Sequence, residues 1–157
     1  MENQKHQNKL KAENLEAFLI KHLPLARAAG VSIDEYSGQR LQVSAPLDQN
    51  INDKKTAFGG SLYNLCVIAA WGMTHLKAKE LGLEGDIVVA KGEINYLRPL
   101  RSRLIAQAEA PTEMQLEHAK EAYDRKGRAI FVINVLVCDE QKQTCVEFTG
   151  KYAVLAE

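Results

Sequence analysis

Residues 60–79 constrain this chain more than any other stretch. Leu62, Leu65, Cys66, Val67, Ile68, Ala69, Ala70, Trp71, Met73 and Leu76 fall on every side of a helical projection, and no charged residue occurs from Gly59 to Met73. A helix that is apolar all round must be enclosed by other elements. At about 1.5 Å per residue it spans about 30 Å, the diameter of a small domain, and no apolar run approaches the length that crosses a bilayer. The chain therefore has to supply a wrapping for one long helix.

Alternation supplies it. Residues 40–47 place Leu41, Val43, Ala45 and Leu47 on one face. Residues 86–98 place Val88, Ala90, Gly92, Ile94 and Tyr96 on one face and Lys91, Glu93 and Asn95 on the other. Residues 102–110 alternate too, as do residues 144–155 through Val146, Phe148, Gly150, Tyr152 and Val154. Residues 127–139 are apolar on both faces, which predicts a central or doubly covered strand. One-sided strands and one enclosed helix predict an α+β fold, a curved antiparallel sheet wrapped round one long central helix.

The remaining segments read as follows. Residues 1–13 form a flexible polar lead, and residues 14–157 a single domain. Asn14 caps a first helix through Leu15, Phe18, Leu19, His22 and Leu23, which Pro24 interrupts and Gly30 closes. Thr112-Glu113-Met114-Gln115 has the form of a capping box and opens a short amphipathic helix (Met114, Leu116, Ala119, Ala122, Tyr123) ending before Gly127.

Charge narrows the function classes. Lys+Arg and Asp+Glu balance at 20 each, so no global field favours nucleic acid or an anionic membrane. The 3 cysteines, Cys66, Cys138 and Cys145, lack CxxC spacing, and no metal constellation or phosphate-binding motif is present. The polar start without an apolar secretory core and the unpaired cysteine count predict a cytoplasmic protein.

Residues 44–73 (SAPLDQNINDKKTAFGGSLYNLCVIAAWGM) and 93–100 (EINYLRPL) carry a family resemblance. The chain resembles hot-dog acyl-thioester enzymes, above all the thioesterase domain that closes YiiD-type acetyltransferase fusions. The resemblance implies a hot-dog fold, pairing as a homodimer or higher even oligomer, and acyl sites near the subunit interface. It implies a small acyl thioester as substrate, with coenzyme A or phosphopantetheine as part of that substrate and no separate cofactor, and an acyl carrier protein as a further partner.

The loop before the helix holds the chemistry. Gly59 and Gly60 let a ligand approach the N–H groups and positive dipole end of the helix, where a thioester oxyanion is stabilised. Many relatives carry an Asn, a His six residues later, and then Gly-Gly; here Asn52, Phe58 and Gly59-Gly60 hold those places. The His is absent. Their helix carboxylate is absent as well, its place being taken by Val67. Asn52 is the candidate amide donor, with Asn50 its rival. Asp53 is the single acid at the mouth and the candidate catalytic base for hydrolysis, beside Gly60 as the candidate backbone donor. Ser61, Tyr63, Asn64, Thr56 and Phe58 are candidate substrate contacts. Arg98 and Arg101, with Arg103, Lys54 and Lys55, are candidate contacts for a phosphate or an acidic carrier face. Cys66 reads as a small buried hydrophobe, and His75 lies about 22 Å along the helix from the mouth.

Without a positioned carboxylate, this inventory ranks decarboxylation of a malonyl thioester first, because that reaction needs oxyanion donors and no general base. Hydrolysis by a thioesterase and non-catalytic binding of an acyl thioester or acyl carrier are the alternatives.

Overall fold

The computed structural model describes residues 1–157. In chain order the elements are α1 (Glu2–His22), α2 (Pro24–Ala28), β1 (Ser32–Tyr36), β2 (Arg40–Ala45), α3 (Gly59–Glu80), β3 (Asp86–Tyr96), β4 (Leu104–Glu109), α4 (Glu113–Lys126), β5 (Arg128–Cys138) and β6 (Thr144–Leu155). All neighbouring strands are antiparallel, in the order β1-β2-β4-β5-β6-β3. The sheet curves round α3, which packs against β2 to β6.

The apolar run of α3 is buried as its composition demands: Leu65, Cys66, Ala69, Ala70 and Met73 are at most 1% exposed. Each large apolar side chain so removed from water contributes about 1.5–3 kcal/mol before entropy is counted. One flank of the helix is not enclosed. Tyr63, Val67, Trp71 and His75, spaced by four, remain half-buried along the side between α1 and β3. The buried residues of α3 belong to one contiguous cluster of 37 residues, so the chain has a single core.

Four expectations are corrected. First, α1 begins at Glu2, not at Asn14, which lies inside it. Residues 2–13 contain no Gly or Pro and many good helix formers, and Asn8 and Ala12 are buried, so the helix extends through the expected lead. Second, β1 is a strand that periodicity missed, because a bulge between Ile33 and Glu35 breaks its alternation. Third, a bulge between Val89 and Lys91 shifts the phase of β3. The half-buried positions of β3 are Ile87, Gly92 and Ile94, whereas Val88 and Ala90 are exposed and do not belong to the inner face. Fourth, Met114 of α4 is 67% exposed and points away from the core.

Other local readings hold. The reciprocal bonds of the Thr112–Gln115 capping box are both present, and Gly127 ends α4 in the left-handed region at φ 67°. β5 is central, with α4 lying across its outer face. At the far end of α3 the buried Lys77 ammonium sits 2.9 Å from Glu80, which also accepts from the Tyr36 hydroxyl at 2.6 Å and from Lys11 at 3.1 Å. This network ties α1, β1 and the end of α3 together.

Candidate functional site

The loop ahead of α3 is a small hairpin. Ile51 and Ala57 form an antiparallel bridge, and Ala57 N–H donates to Leu100 C=O at 2.8 Å, fixing the hairpin against the segment after β3. Its base is held by Asn50, whose N–H donates to Leu47 C=O and whose C=O accepts from Phe58 N–H at 2.7 Å. The Asn50 amide spends both hydrogens, on Ala29 C=O at 2.9 Å and Pro46 C=O at 2.7 Å. Asn50 is therefore a brace.

Asn52 is placed differently. Its Oδ1 accepts from Lys54 N–H (2.9 Å) and Thr56 N–H (3.0 Å), and its Nδ2 donates to Thr56 Oγ1 at 2.8 Å. An amide nitrogen carries two hydrogens, so one remains unspent. Asp53 projects from the hairpin tip, 81% exposed, and pairs with Lys54 at 3.1 Å. No group of three or more His, Cys, Asp or Glu side chains is arranged to hold a metal ion.

Phe58 is the N-cap of α3 in an extended conformation and offers no side-chain bond to the first turn. The N–H groups of Gly59, Gly60 and Ser61 consequently have no intrahelical partner, and Gly60 is exposed. The two glycines serve different neighbours. A Cβ on Gly60 would lie 2.6 Å from the Phe58 ring, which folds over it; Gly59 instead faces the Tyr96 ring at 3.5 Å. Tyr96 hydroxyl donates to Gly59 C=O at 2.8 Å, locking the first turn to the end of β3. Burial raises the Tyr96 pKa, so the phenol stays protonated and keeps donating.

On the same flank Tyr63 crosses edge-on to Phe148, with its hydroxyl resting against the backbone of Gly92. Tyr152, fully buried, donates to Val67 C=O at 3.0 Å. Cys66 is wholly buried, and desolvation pushes its thiol up to about 12, which leaves no thiolate for nucleophilic attack at neutral pH. His75 stacks on Trp71 at 5.0 Å, and burial followed by the Lys79 charge lowers it to about 4, so it is neutral. Opposite, towards α2, Ser61 and Asn64 line a cleft with Phe58, Gly60 and Leu25.

The arginines divide. Arg98 donates to Gln143 at 3.1 Å, and Arg101 is exposed next in sequence to Leu100, whose carbonyl holds the hairpin through Ala57. Arg103 turns away to Ser44 Oγ at 3.0 Å and leaves the cluster. Sequence reasoning missed the Tyr96–Gly59 lock. Tyr96 was visible as an inner-face residue, but nothing in periodicity says where a phenol ends.

A family model described as "Putative thioesterase (yiiD_Cterm)" matches residues 12–156. The chain belongs to this family. Among solved structures, a protein of unknown function from Chlorobaculum tepidum TLS is 36% identical with a TM-score of 0.89, covering 93% of this chain and 94% of that one. A "putative thioesterase" from Shewanella oneidensis is 26% identical with a TM-score of 0.81, covering 94% and 99%. A thioesterase from Haemophilus influenzae, 18% identical with a TM-score of 0.69 over 92% and 90%, shares the fold. The hot-dog architecture and the YiiD C-terminal family are thus both established.

Within that family frame the mouth of α3 carries neither a histidine at Phe58 nor an acid at Val67. No helix of the chain is long and apolar enough to cross a membrane.

Proposed function

We propose that the protein hydrolyses acyl thioesters, with the carbonyl oxygen held by the first-turn N–H groups of α3 and by the spare N–H of Asn52. The observation that carries this reading is the uncapped first turn at Gly59–Ser61, exposed at Gly60, in a chain of the thioesterase family. Each donor aimed at a developing oxyanion is worth about 3–4 kcal/mol in the transition state. The apolar flank of Tyr96, Tyr63 and Val67 suits the acyl group. The basic rim of Lys54, Lys55, Arg98 and Arg101 suits the phosphate of coenzyme A or of a carrier-bound pantetheine arm.

Sequence reasoning ranked malonyl decarboxylation first. The family description and two of the similar structures name thioesterases, which reverses the order. One observation keeps decarboxylation as the second reading. Asp53, the single acid of the hairpin, is exposed and paired with Lys54, so no carboxylate stands on α3 near its mouth to activate water. Loss of CO2 needs only the oxyanion donors.

The same proposal includes a homodimer. The 11-residue β3 leaves one edge unpaired, with Val88 and Val89 exposed, and the half-open stripe of α3 lies beside it.

The deciding experiment supplies acetyl and malonyl thioesters of coenzyme A and of an acyl carrier protein, following thiol and CO2 together. Free thiol from both acyl groups is the expected outcome. CO2 with the thioester intact replaces hydrolysis by decarboxylation. Neither product, with retained binding, leaves a non-catalytic binding module.

A further inference from the structure

The first turn of α3 has two unlike flanks. Facing β3 it is aromatic and apolar; facing α2 it opens into a cleft of about 310 Å³ with Gln49, Asn50, Ser61 and Asn64 on its walls. Ser61 and Asn64 stand three residues apart on one helix face. Both are half-buried, and neither side chain bonds another protein group, yet no buried polar atom in the molecule lacks a partner. Their polar atoms therefore open onto the cleft. Beside them, Leu25 and Phe58 leave large apolar surfaces in water, at 65% and 55% exposure.

We propose that this cleft receives the amide-bearing arm of the substrate thiol, with Asn64 and Ser61 bonding one of its amides and Leu25 and Phe58 packing on its aliphatic part. This rests on the acyl-thioester reading. An alkyl chain is the wrong occupant, because it would strip water from four polar side chains and return nothing. A secondary amide presents one donor and one acceptor, and the Asn64 carboxamide answers both, with the Ser61 hydroxyl adding either. Asn50 does not compete as a donor, its two hydrogens being spent on Ala29 and Pro46. The thioester then straddles Gly60, with the arm towards α2 and the acyl group towards Tyr63 and Val67.

Calorimetric titration with pantetheine, which has the arm and no acyl group, reads this directly. The wild-type protein is expected to bind it saturably. Asn64→Leu should weaken binding about tenfold, and Ser61→Ala by less, each with a melting temperature close to wild type. Ser61→Ala removes one atom and guards against a folding artefact. Unchanged affinity in the Asn64→Leu, Ser61→Ala double variant overturns the proposal. So does an absence of saturable binding to wild type at millimolar pantetheine. Turnover separates the two readings. Asn64-dependent binding without thioester turnover sinks the enzymatic reading and leaves the arm site standing. Turnover with KM unaltered in both variants does the reverse.

Discussion

Residues 52–56 and 139–143 form two hairpins built to one plan. The first residue's N–H donates to the carbonyl of the last, at 2.8 Å for Asn52 to Thr56 and 3.0 Å for Asp139 to Gln143. The fourth residue is a lysine in the left-handed region, Lys55 at φ 61° and Lys142 at φ 65°, and its N–H donates back to the first carbonyl. The first side chain accepts from the last N–H, at 3.0 Å on Asn52 Oδ1 and 2.9 Å on Asp139 Oδ1. The turn thus needs an acceptor at its first position, and Asp139 shows that a carboxylate serves. Asn52 has what the turn does not need: an amide nitrogen, held at 2.8 Å by Thr56 Oγ1, with one hydrogen to spare. The difference between the hairpins is the part of Asn52 that the fold leaves free for chemistry.

The sharpest test is Asn52→Asp, which keeps the acceptor and deletes the donor. Thioester turnover should fall by about 10²-fold or more while the melting temperature barely moves; Asp139→Asn should alter neither. An active Asn52→Asp enzyme would make the two hairpins equivalent and remove Asn52 from the site.

Next in size is Thr56→Val, which frees the Asn52 amide to rotate without touching the Oδ1 bonds. A drop in kcat of about tenfold is expected, on the ground that a misaimed donor loses most of one hydrogen bond. Full activity would show that Thr56 does not aim the amide.

Truncation to alanine splits stability from function. Asn52→Ala and Asp139→Ala should each cost about 1 kcal/mol in urea unfolding, since each strips the same turn acceptor. Only Asn52→Ala should also lose turnover. The smallest effect is expected at the lysines. Lys55→Gly and Lys142→Gly relieve a left-handed backbone at the expense of a looser unfolded chain, for a net gain of about 0.5 kcal/mol each. Unequal gains would show that the plan is shared in geometry and not in energy.

Much of the fold was legible because burial has a period. The all-apolar stretch of α3 announced an enclosed helix, and reciprocal Thr112–Gln115 capping with Gly127 bounded α4 to the residue. Where a bulge changes the period, legibility failed: β1 vanished, and β3 lost its phase at Ala90. The site was legible in its parts and not in its division of labour. Asn50 and Asn52 look alike in a string, and only their partners show that one has spent both amide hydrogens and the other has not. Arg103 looked like a third basic residue at the mouth until Ser44 claimed it.

Gly92 and Gly150 lie opposite each other on β3 and β6. A side chain on Gly92 would strike the Tyr63 hydroxyl, and one on Gly150 would strike the rings of Tyr152 and Phe148. For anyone redesigning this flank, Gly92 and Tyr63 form a lock with a fixed order of opening. Enlarging either glycine first drives a side chain into a neighbouring ring or its hydroxyl. Shortening Tyr63 first empties the space over Gly92, and a small residue there then becomes an allowed second step. Volume on this flank is therefore gained through the helix before the sheet, and a library that randomises the sheet positions alone works against Tyr63 at Gly92 and against Tyr152 and Phe148 at Gly150.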